Sequence, residues 1–396
     1  MKKLFNKKFI ALVLAVVMSA MVIPAVLAPV SASNAGIVLI IDGVRQSTDV
    51  APVVVNGTTL VPLRVISEAL GAEVSWNAAR QQATIRTAAY TVVFTIGSTT
   101  YTVNGSNRTL PVAPRITNNR TLVPIRAFAE AIGATVGYTA STHTATVDYF
   151  TKMSGSIIVT GSTTVQPIAQ AAADKLMAMN SGLSITVSGG GSGAGVTAAN
   201  NGTANIGMSS RELTAAELRT LNAYSVANDG VVIVVHPNNS VSNLTVTQVR
   251  DIFTGEITNW NEVGGANAAI LVQTRETGSG TLDALTGLVL GSGRSVTANA
   301  SPHTSNALLR TAVAGNRNAI GFISVGYVDN TIKALQIGGR SPTSATIMNK
   351  TYPLSRFIYV CTRGRASGVN AMFIDYLRSK DCQDNIVVSN GFVKLS

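Results

Sequence analysis

The segment Thr59-Leu-Val-Pro-Leu-Arg64, followed by Glu68-Ala-Leu-Gly-Ala72, returns as Thr121-Leu-Val-Pro-Ile-Arg126, followed by Glu130-Ala-Ile-Gly-Ala134. The offset of 62 residues holds without a gap from Asp42-Gly43 against Asn104-Gly105 to Ala83-Thr84 against Ala145-Thr146. A repeat of this length commits the chain to building one supersecondary unit twice. In each copy Asp-Gly or Asn-Gly marks a hairpin turn. A helix entered through proline comes next and is closed by Gly71 or Gly133. Short alternating strands follow, at Glu73 to Trp76 and Gln82 to Arg86, then at Thr135 to Tyr138 and Thr144 to Asp148. Residues 36–150 are therefore expected to form a small α+β domain of two tandem repeats, about 36–88 and 98–150. Arg64/Glu68 and Arg126/Glu130 recur at i, i+4, the spacing of a structural ion pair on a helix surface.

The LVP(L/I)R…EA(L/I)GA pattern resembles the repeat at the N-terminus of copper amine oxidases and in bacterial surface stalk proteins. That resemblance implies a spacer or adhesion module. It carries neither copper nor oxidation with it, because no histidine cluster or catalytic domain accompanies the repeats. The three histidines, His143, His236 and His303, are dispersed without ligand spacing, and no metal or other cofactor is expected.

Ahead of the repeats, Lys2, Lys3, Lys7 and Lys8 precede an apolar run from Phe9 to about Leu27, with small residues at Val30-Ser31-Ala32. This is the anatomy of a secretory signal peptide covering residues 1–32; a retained membrane anchor is the alternative. No cysteine lies in or just after the segment, so a lipid-modified cysteine is not expected, and the mature chain is read as extracytoplasmic. Only 12% of residues are charged, and a surface rich in Ser, Thr, Asn and Gly suits that compartment. The formal charge of +11 includes the four leader lysines, which leaves +7 and favours anionic partners. Lys and Arg are scattered, and nucleic acid is not among those partners. The two cysteines, Cys361 and Cys382, are separated by a helix-length segment that carries the chain beyond disulfide reach, so two buried free thiols are expected.

After a short linker at Tyr149–Ser154 the pattern changes. Apolar strands now alternate with helix-length amphipathic runs, the signature of an α/β domain over 155–396. Strands are expected at Ser156–Val159, Ser184–Val187, Ile206–Met208 and Gly230–Val235, with helices over Val165–Met179, after Gly195 and over Leu213–Leu221. Four loops share one chemistry. Gly161-Ser-Thr-Thr-Val-Gln-Pro167 and Ser188-Gly-Gly-Gly-Ser-Gly-Ala-Gly195 each follow a strand and open a helix; Met208-Ser-Ser-Arg211 and Arg275-Glu-Thr-Gly-Ser-Gly-Thr281 also follow strands. Ligands in open α/β sheets collect at the carboxyl ends of strands, where helix N-termini present free N–H groups. Glycine admits a close backbone approach, and hydroxyls add short donors. Such loops can enclose a small oxyanion, although Ser or Thr at a helix start is also an ordinary N-cap. A dinucleotide fingerprint, a nucleophile elbow and a phosphate-binding P-loop are each disfavoured by spacing or context.

In order, GSTTVQP, GGGSGAG, IGMSSREL, NDGVVIVVHP, IFTGEITNWNEVGG, RETGSGT and NAIGFISVGYV resemble the substrate-binding protein of the Pst-type phosphate ABC transporter across 155–396. The resemblance implies a two-lobed periplasmic-binding-protein (type II) fold with hinge strands and phosphate in the cleft. Crossings are expected at Val231–Pro237 and Arg356–Thr362, with lobe one at 155–234 plus 360–396 and lobe two at 237–355. It assigns phosphate contacts to Thr163, Thr164, Ser192, Ser210, Arg211, Arg275, Ser279, Gly280 and Thr281. Asp229 is expected to accept the hydrogen bond from the phosphate proton and so to reject sulfate. The implied partners are inorganic phosphate and an ABC permease, with a cell-wall polymer as a further candidate for the stalk. No catalysis is implied. The alternative is a surface-associated phosphate-sensing or adhesion protein in which the stalk dominates; an exported phosphate-ester hydrolase lacks a metal cluster or an activated nucleophile.

Overall fold

The computed structural model describes residues 36–395, and the expected signal peptide lies outside the described residues. The first repeat contributes β1 (Val38–Ile41), β2 (Val44–Arg45), β3 (Val53–Val55), β4 (Thr58–Pro62), α1 (Leu63–Ala69), β5 (Glu73–Asn77) and β6 (Gln82–Arg86). A connecting strand β7 (Thr91–Thr95) leads into the second copy: β8 (Thr100–Val103), β9 (Ser106–Thr109), β10 (Arg115–Thr117), β11 (Arg120–Pro124), α2 (Ile125–Ala131), β12 (Thr135–Thr139) and β13 (Thr144–Asp148). Asp42-Gly43 and Asn104-Gly105 all have positive φ, between 47° and 82°, as a type I′ hairpin turn requires.

The two copies do not close separately. Hairpin β1–β2 of the first joins β12–β13 of the second, through a parallel β1–β13 pair. Hairpin β8–β9 of the second joins β5–β6 of the first through β7. Strands β4 and β11 pair antiparallel, with Val61 opposite Val123 on the local two-fold. The two repeats, about 36–88 and 98–150, thus build one domain by exchanging hairpins. Leu39 and Ile41 of the first copy and Ala145 and Val147 of the second are buried in one shared apolar cluster.

The segment expected as a linker is also part of the core. Tyr149, Phe150 and Met153 are buried, and the N–H groups of Tyr149, Phe150 and Thr151 donate to Asp42 Oδ1 at 2.8, 2.7 and 3.1 Å. One apolar cluster runs from the repeats through these residues into the following domain.

That domain begins with β14 (Gly155–Gly161), α3 (Gln166–Met179), β15 (Leu183–Gly189), α4 (Ser192–Asn201), β16 (Ile206–Ser209) and the long β17 (Leu221–Val235). Leu213–Leu221 is not the expected helix. Only Glu217–Arg219 makes a 3-10 turn, because the Glu217 carboxylate caps Thr214 N at 2.7 Å and Leu221 is drawn into the sheet. The chain continues through β18 (Asn243–Leu244), α5 (Val246–Thr254), β19 (Leu271–Arg275), α6 (Gly280–Leu285), β20 (Ser301–His303), α7 (Asn306–Ala314) and β21 (Ala319–Ser324). It closes with β22 (Lys333–Ala334), β23 (Gln336–Ile337), α8 (Ser344–Met348), β24 (Ser355–Arg363), α9 (Gly368–Arg378) and α10 (Lys380–Cys382).

A single sheet path, β15-β14-β16-β24-β17-β21-β19-β20, passes through both lobes. Residues Leu221 to Gly230 of β17 pair with β24, whereas Val231 to Val235 pair with β21. The crossing therefore falls at Gly230 and Ser355, earlier than the expected Val231–Pro237, and the return Arg356–Thr362 already belongs to lobe one. Val231, Ile233 and Val235 pack in the lobe-two cluster with Phe253, Trp260 and Phe322, while Ile358 and Val360 pack in that of lobe one. Cys361 on β24 and Cys382 on α10 are free and buried, and burial pushes the Cys361 thiol up to about 12.

Candidate functional site

Three parallel strands of lobe one end side by side, and their loops are held together by glycine. Gly161 closes β14 at φ 133°, a conformation that L side chains rarely adopt, with Gly195 Cα and Met208 O against it. Its carbonyl accepts from Gly191 N at 3.0 Å, which brings the loop after β15 beside the loop after β14. Ser192 then opens α4, and its Oγ accepts from Ser210 N at 3.0 Å, tying in the loop after β16. From lobe two, β19 ends in Arg275, and Ser279 caps α6 by accepting from Leu282 N at 3.4 Å.

These loops converge on one narrow, tightly closed polar pocket between the lobes. Lobe one lines it with Ser162, Thr163, Thr164, Gly191, Ser192 and Ser210; lobe two lines it with Arg275, Ser279, Gly280 and Thr281. Wider apolar grooves run along the junction of the repeats with lobe one, past Val65, Phe150 and Met179, and none of the four loops reaches them.

The cleft is closed over this cavity. Thr164 Oγ1 lies 3.2 Å from Thr281 Oγ1 and accepts from Asn306 Nδ2 at 2.9 Å. Gly193 N donates to Gly278 O at 3.0 Å, and Tyr327 OH donates to Thr163 O at 2.6 Å. A Cβ on Gly280 would overlap Ser192 Oγ, so only glycine lets the lobes meet here. Arg275 is buried. Its Nε donates to His303 O at 3.0 Å, and its Nη2 donates to Thr304 O at 3.2 Å and Thr163 Oγ1 at 3.4 Å. Glu276 pairs with the same guanidinium at 3.0 Å. Its Nη1 makes no hydrogen bond within the described residues. Burial pushes the Tyr327 phenol up to about 12, which keeps it a donor at neutral pH.

Eight of the ten residues singled out in the sequence line the cavity; Asp229 and Arg211 do not. Asp229 is fully buried behind the wall. Its Oδ1 accepts from Ser324 Oγ at 2.7 Å and Val325 N at 3.1 Å. Its Oδ2 accepts from Arg356 Nε at 2.8 Å, with Nη2 of the same guanidinium in ion-pair contact at 2.7 Å. Arg356 in turn donates to Gly280 O at 3.0 Å and Thr281 Oγ1 at 3.2 Å. Burial pulls the Arg356 guanidinium down, and the Asp229 carboxylate opposes that. Arg211 points away from the cavity to Glu217 and Asp283. Sequence reasoning missed Ser162, Gly191, Asn306, Tyr327 and Arg356. The first two adjoin chosen residues and Tyr327 stands in NAIGFISVGYV, but no local signal marks Asn306 or Arg356. Among the described residues no group of three or more His, Cys, Asp or Glu is placed to hold a metal ion.

A two-lobed α/β domain with crossing strands and a buried polar cavity between the lobes defines a solute-binding protein, and comparison with known proteins agrees. Residues 139–381 match the family described as PBP superfamily domain, and residues 40–147 match the copper amine oxidase N-terminal domain. The phosphate-binding protein PstS of Bacillus subtilis (strain 168) is 32% identical over 249 residues, spanning 62% of this chain and 82% of that one. A crystal structure of a putative phosphate ABC transporter substrate-binding protein with bound phosphate, from Clostridium perfringens, superposes with a TM-score of 0.59. It is 36% identical and covers 61% of this chain and 100% of that one. An ABC-type phosphate transport receptor from Vibrio cholerae gives 0.54 at 37% identity, covering 60% and 100%. The chain belongs to the PstS family of phosphate-binding proteins within the PBP superfamily, and carries a copper amine oxidase N-terminal-like domain ahead of it.

Proposed function

We propose that this chain captures inorganic phosphate in the interlobe cavity outside the cytoplasm and delivers it to an ABC permease, without transforming it. The observation that carries the reading is the convergence of hydroxyls, glycine backbone and Arg275 from both lobes on one narrow pocket. Thr163, Thr164, Ser192, Ser210, Ser279, Gly280 and Thr281 would donate to the anion, and Arg275 would add a charge-assisted contact. Opening and closing would turn about the two crossing strands. No nucleophile is set beside a base here, so the arrangement supports holding alone. A wall polyanion as a second partner of the repeats rests on the positive charge balance and nothing further.

Phosphate at neutral pH retains a proton that needs an acceptor, and sulfate has none. Asp229 was the expected acceptor, but a carboxylate offers about four acceptor positions. Ser324 Oγ, Val325 N and Arg356 Nε take three of them, and the Arg356 guanidinium lies against Oδ2 as an ion pair. Asp229 therefore supports the site through Arg356, which holds Gly280 and Thr281. The acceptor role passes to Ser192 and Ser210, whose hydroxyls face each other at 3.3 Å and can each donate or accept. Hydroxyls that can turn round reject sulfate less strictly than a carboxylate does.

Isothermal titration with phosphate, arsenate, sulfate and molybdate tests this. Phosphate binding is expected, with weaker but measurable sulfate binding. Asp229→Asn is expected to weaken all four anions alike. Absence of phosphate binding sinks the reading; an Asp229→Asn protein that keeps phosphate affinity but loses discrimination returns Asp229 to the acceptor role.

A further inference from the structure

Arg211, expected at the ligand, instead spans the mouth of the cleft. Its Nη1 and Nη2 donate to Glu217 Oε2 and Oε1, both at 2.8 Å, and Nη1 also donates to Glu212 O at 2.9 Å. All of these partners belong to lobe one. Glu217 is itself fixed by Thr214 N, and the guanidinium holds its carboxyl below the usual carboxylate range. Lobe one thus orients Arg211 by itself, and Nε is left to cross the cleft to Asp283 Oδ2 of lobe two at 2.9 Å. Apart from the Asp229–Arg356 pair at the crossing strands, this is the charged pair that joins the lobes among the described residues.

Both ends of the contact adjoin the cavity. Arg211 follows Ser210 in the chain, and Asp283 lies on α6 two residues beyond Thr281. An anion gripped by Ser210 and Thr281 therefore draws the pair together, although neither member touches it. We infer that Arg211 and Asp283 form a cleft clasp, positioning residues that set how long the closed, loaded state lasts. Opening breaks one charged hydrogen bond and leaves the Arg211–Glu217 pair intact, so Arg211 does not become a buried unpaired charge. A half-exposed contact of this kind shifts an equilibrium severalfold rather than locking it, which suits a carrier that must release its cargo.

The inference rests on the phosphate reading. Its test is stopped-flow measurement of phosphate association and dissociation on the full chain, with small-angle X-ray scattering of the ligand-free protein. Asp283→Asn is expected to raise the dissociation rate about fivefold, leave association within twofold, and blunt the acceleration of release by salt. Glu217→Gln, which loosens Arg211 without removing the crossing contact, is expected to have a smaller effect in the same direction. An unchanged dissociation rate in Asp283→Asn, or a loss confined to association, overturns the clasp. If the wild-type chain binds no phosphate, the functional reading fails by itself and scattering judges the clasp separately. Asp283→Asn should then give a larger radius of gyration than wild type at low salt, and equal radii refute it.

Discussion

Against the repeats, lobe one shares a continuous apolar cluster that includes Phe128, Phe150, Ile374 and Tyr376, with the Phe150 and Tyr376 rings edge to face at 5.1 Å. Against lobe two it offers mainly hydroxyls and amides with two ion pairs, and most of the apolar core of each lobe falls in its own cluster. The first interface also holds a buried carboxylate. Asp375 of α9 accepts from Ala88 N at 2.7 Å and from Tyr149 OH at 2.9 Å. Apolar area removed from water is non-directional and expensive to re-expose. Hydrogen bonds to hydroxyls exchange with water at little net cost. The contrast predicts that the repeats stay fixed to lobe one when the cleft between the lobes opens.

The strongest way to break this comparison is at Gly71. Its φ is +71°, and an added Cβ would overlap the backbone carbonyl of Asp375. Gly71→Ala should destabilise the chain by about 3 kcal/mol in denaturant unfolding and expose the junction to proteolysis. The equivalent Gly133 has φ +86° but meets nothing within 4 Å, so Gly133→Ala should lose only about 1 kcal/mol. Equal losses would mean that the first repeat is not docked as described.

On the opening side, Arg275→Ala should weaken phosphate binding about 100-fold by calorimetry, from loss of a charge-assisted contact, with the repeat junction unaffected. The junction in turn should respond to pH. Burial pushes the Asp375 carboxyl up to about 7 from its ordinary 3.8, with Ala88, Tyr149 and Arg378 opposing the shift. The folded chain then holds a proton that the unfolded chain has released between those values. Stability should fall as pH rises from about 4 to about 7 and level off above. Melting curves across that range check it, and Asp375→Asn should flatten this dependence while leaving anion affinity unchanged. The smallest effect is expected at Tyr327→Phe, which removes one hydroxyl bridging the lobes to Thr163 O. About a fivefold rise in Kd is expected, with no change in the pH profile of stability.

Much of the local structure is legible in the residues. Asp42-Gly43 and Asn104-Gly105 turn as their left-handed preference requires, and the 62-residue offset carries every element of the first copy onto the second. The four hydroxyl-and-glycine loops could be picked out because each follows an apolar strand, and they converge on one cavity. Leu213–Leu221 misled because its spacing fits a helix, while the Glu217 carboxylate and the β24 partner that prevent it come from tertiary contacts. Tyr149–Ser154 looked like a linker because its apolar residues are too few to show a period; their burial depends on Asp42, 107 residues away in the first repeat.

Sequence alone determined most of the strands and turns and the shared chemistry of the four loops, because backbone preference and hydrophobic period act over a few residues. Tertiary structure decided three further matters: that the repeats exchange strands, that Asp229 is held by Ser324, Val325 and Arg356, and that Arg211 faces Asp283. Each depends on which partner fills a hydrogen-bonding or apolar vacancy, and those partners lie tens to hundreds of residues apart, where no local pattern records them.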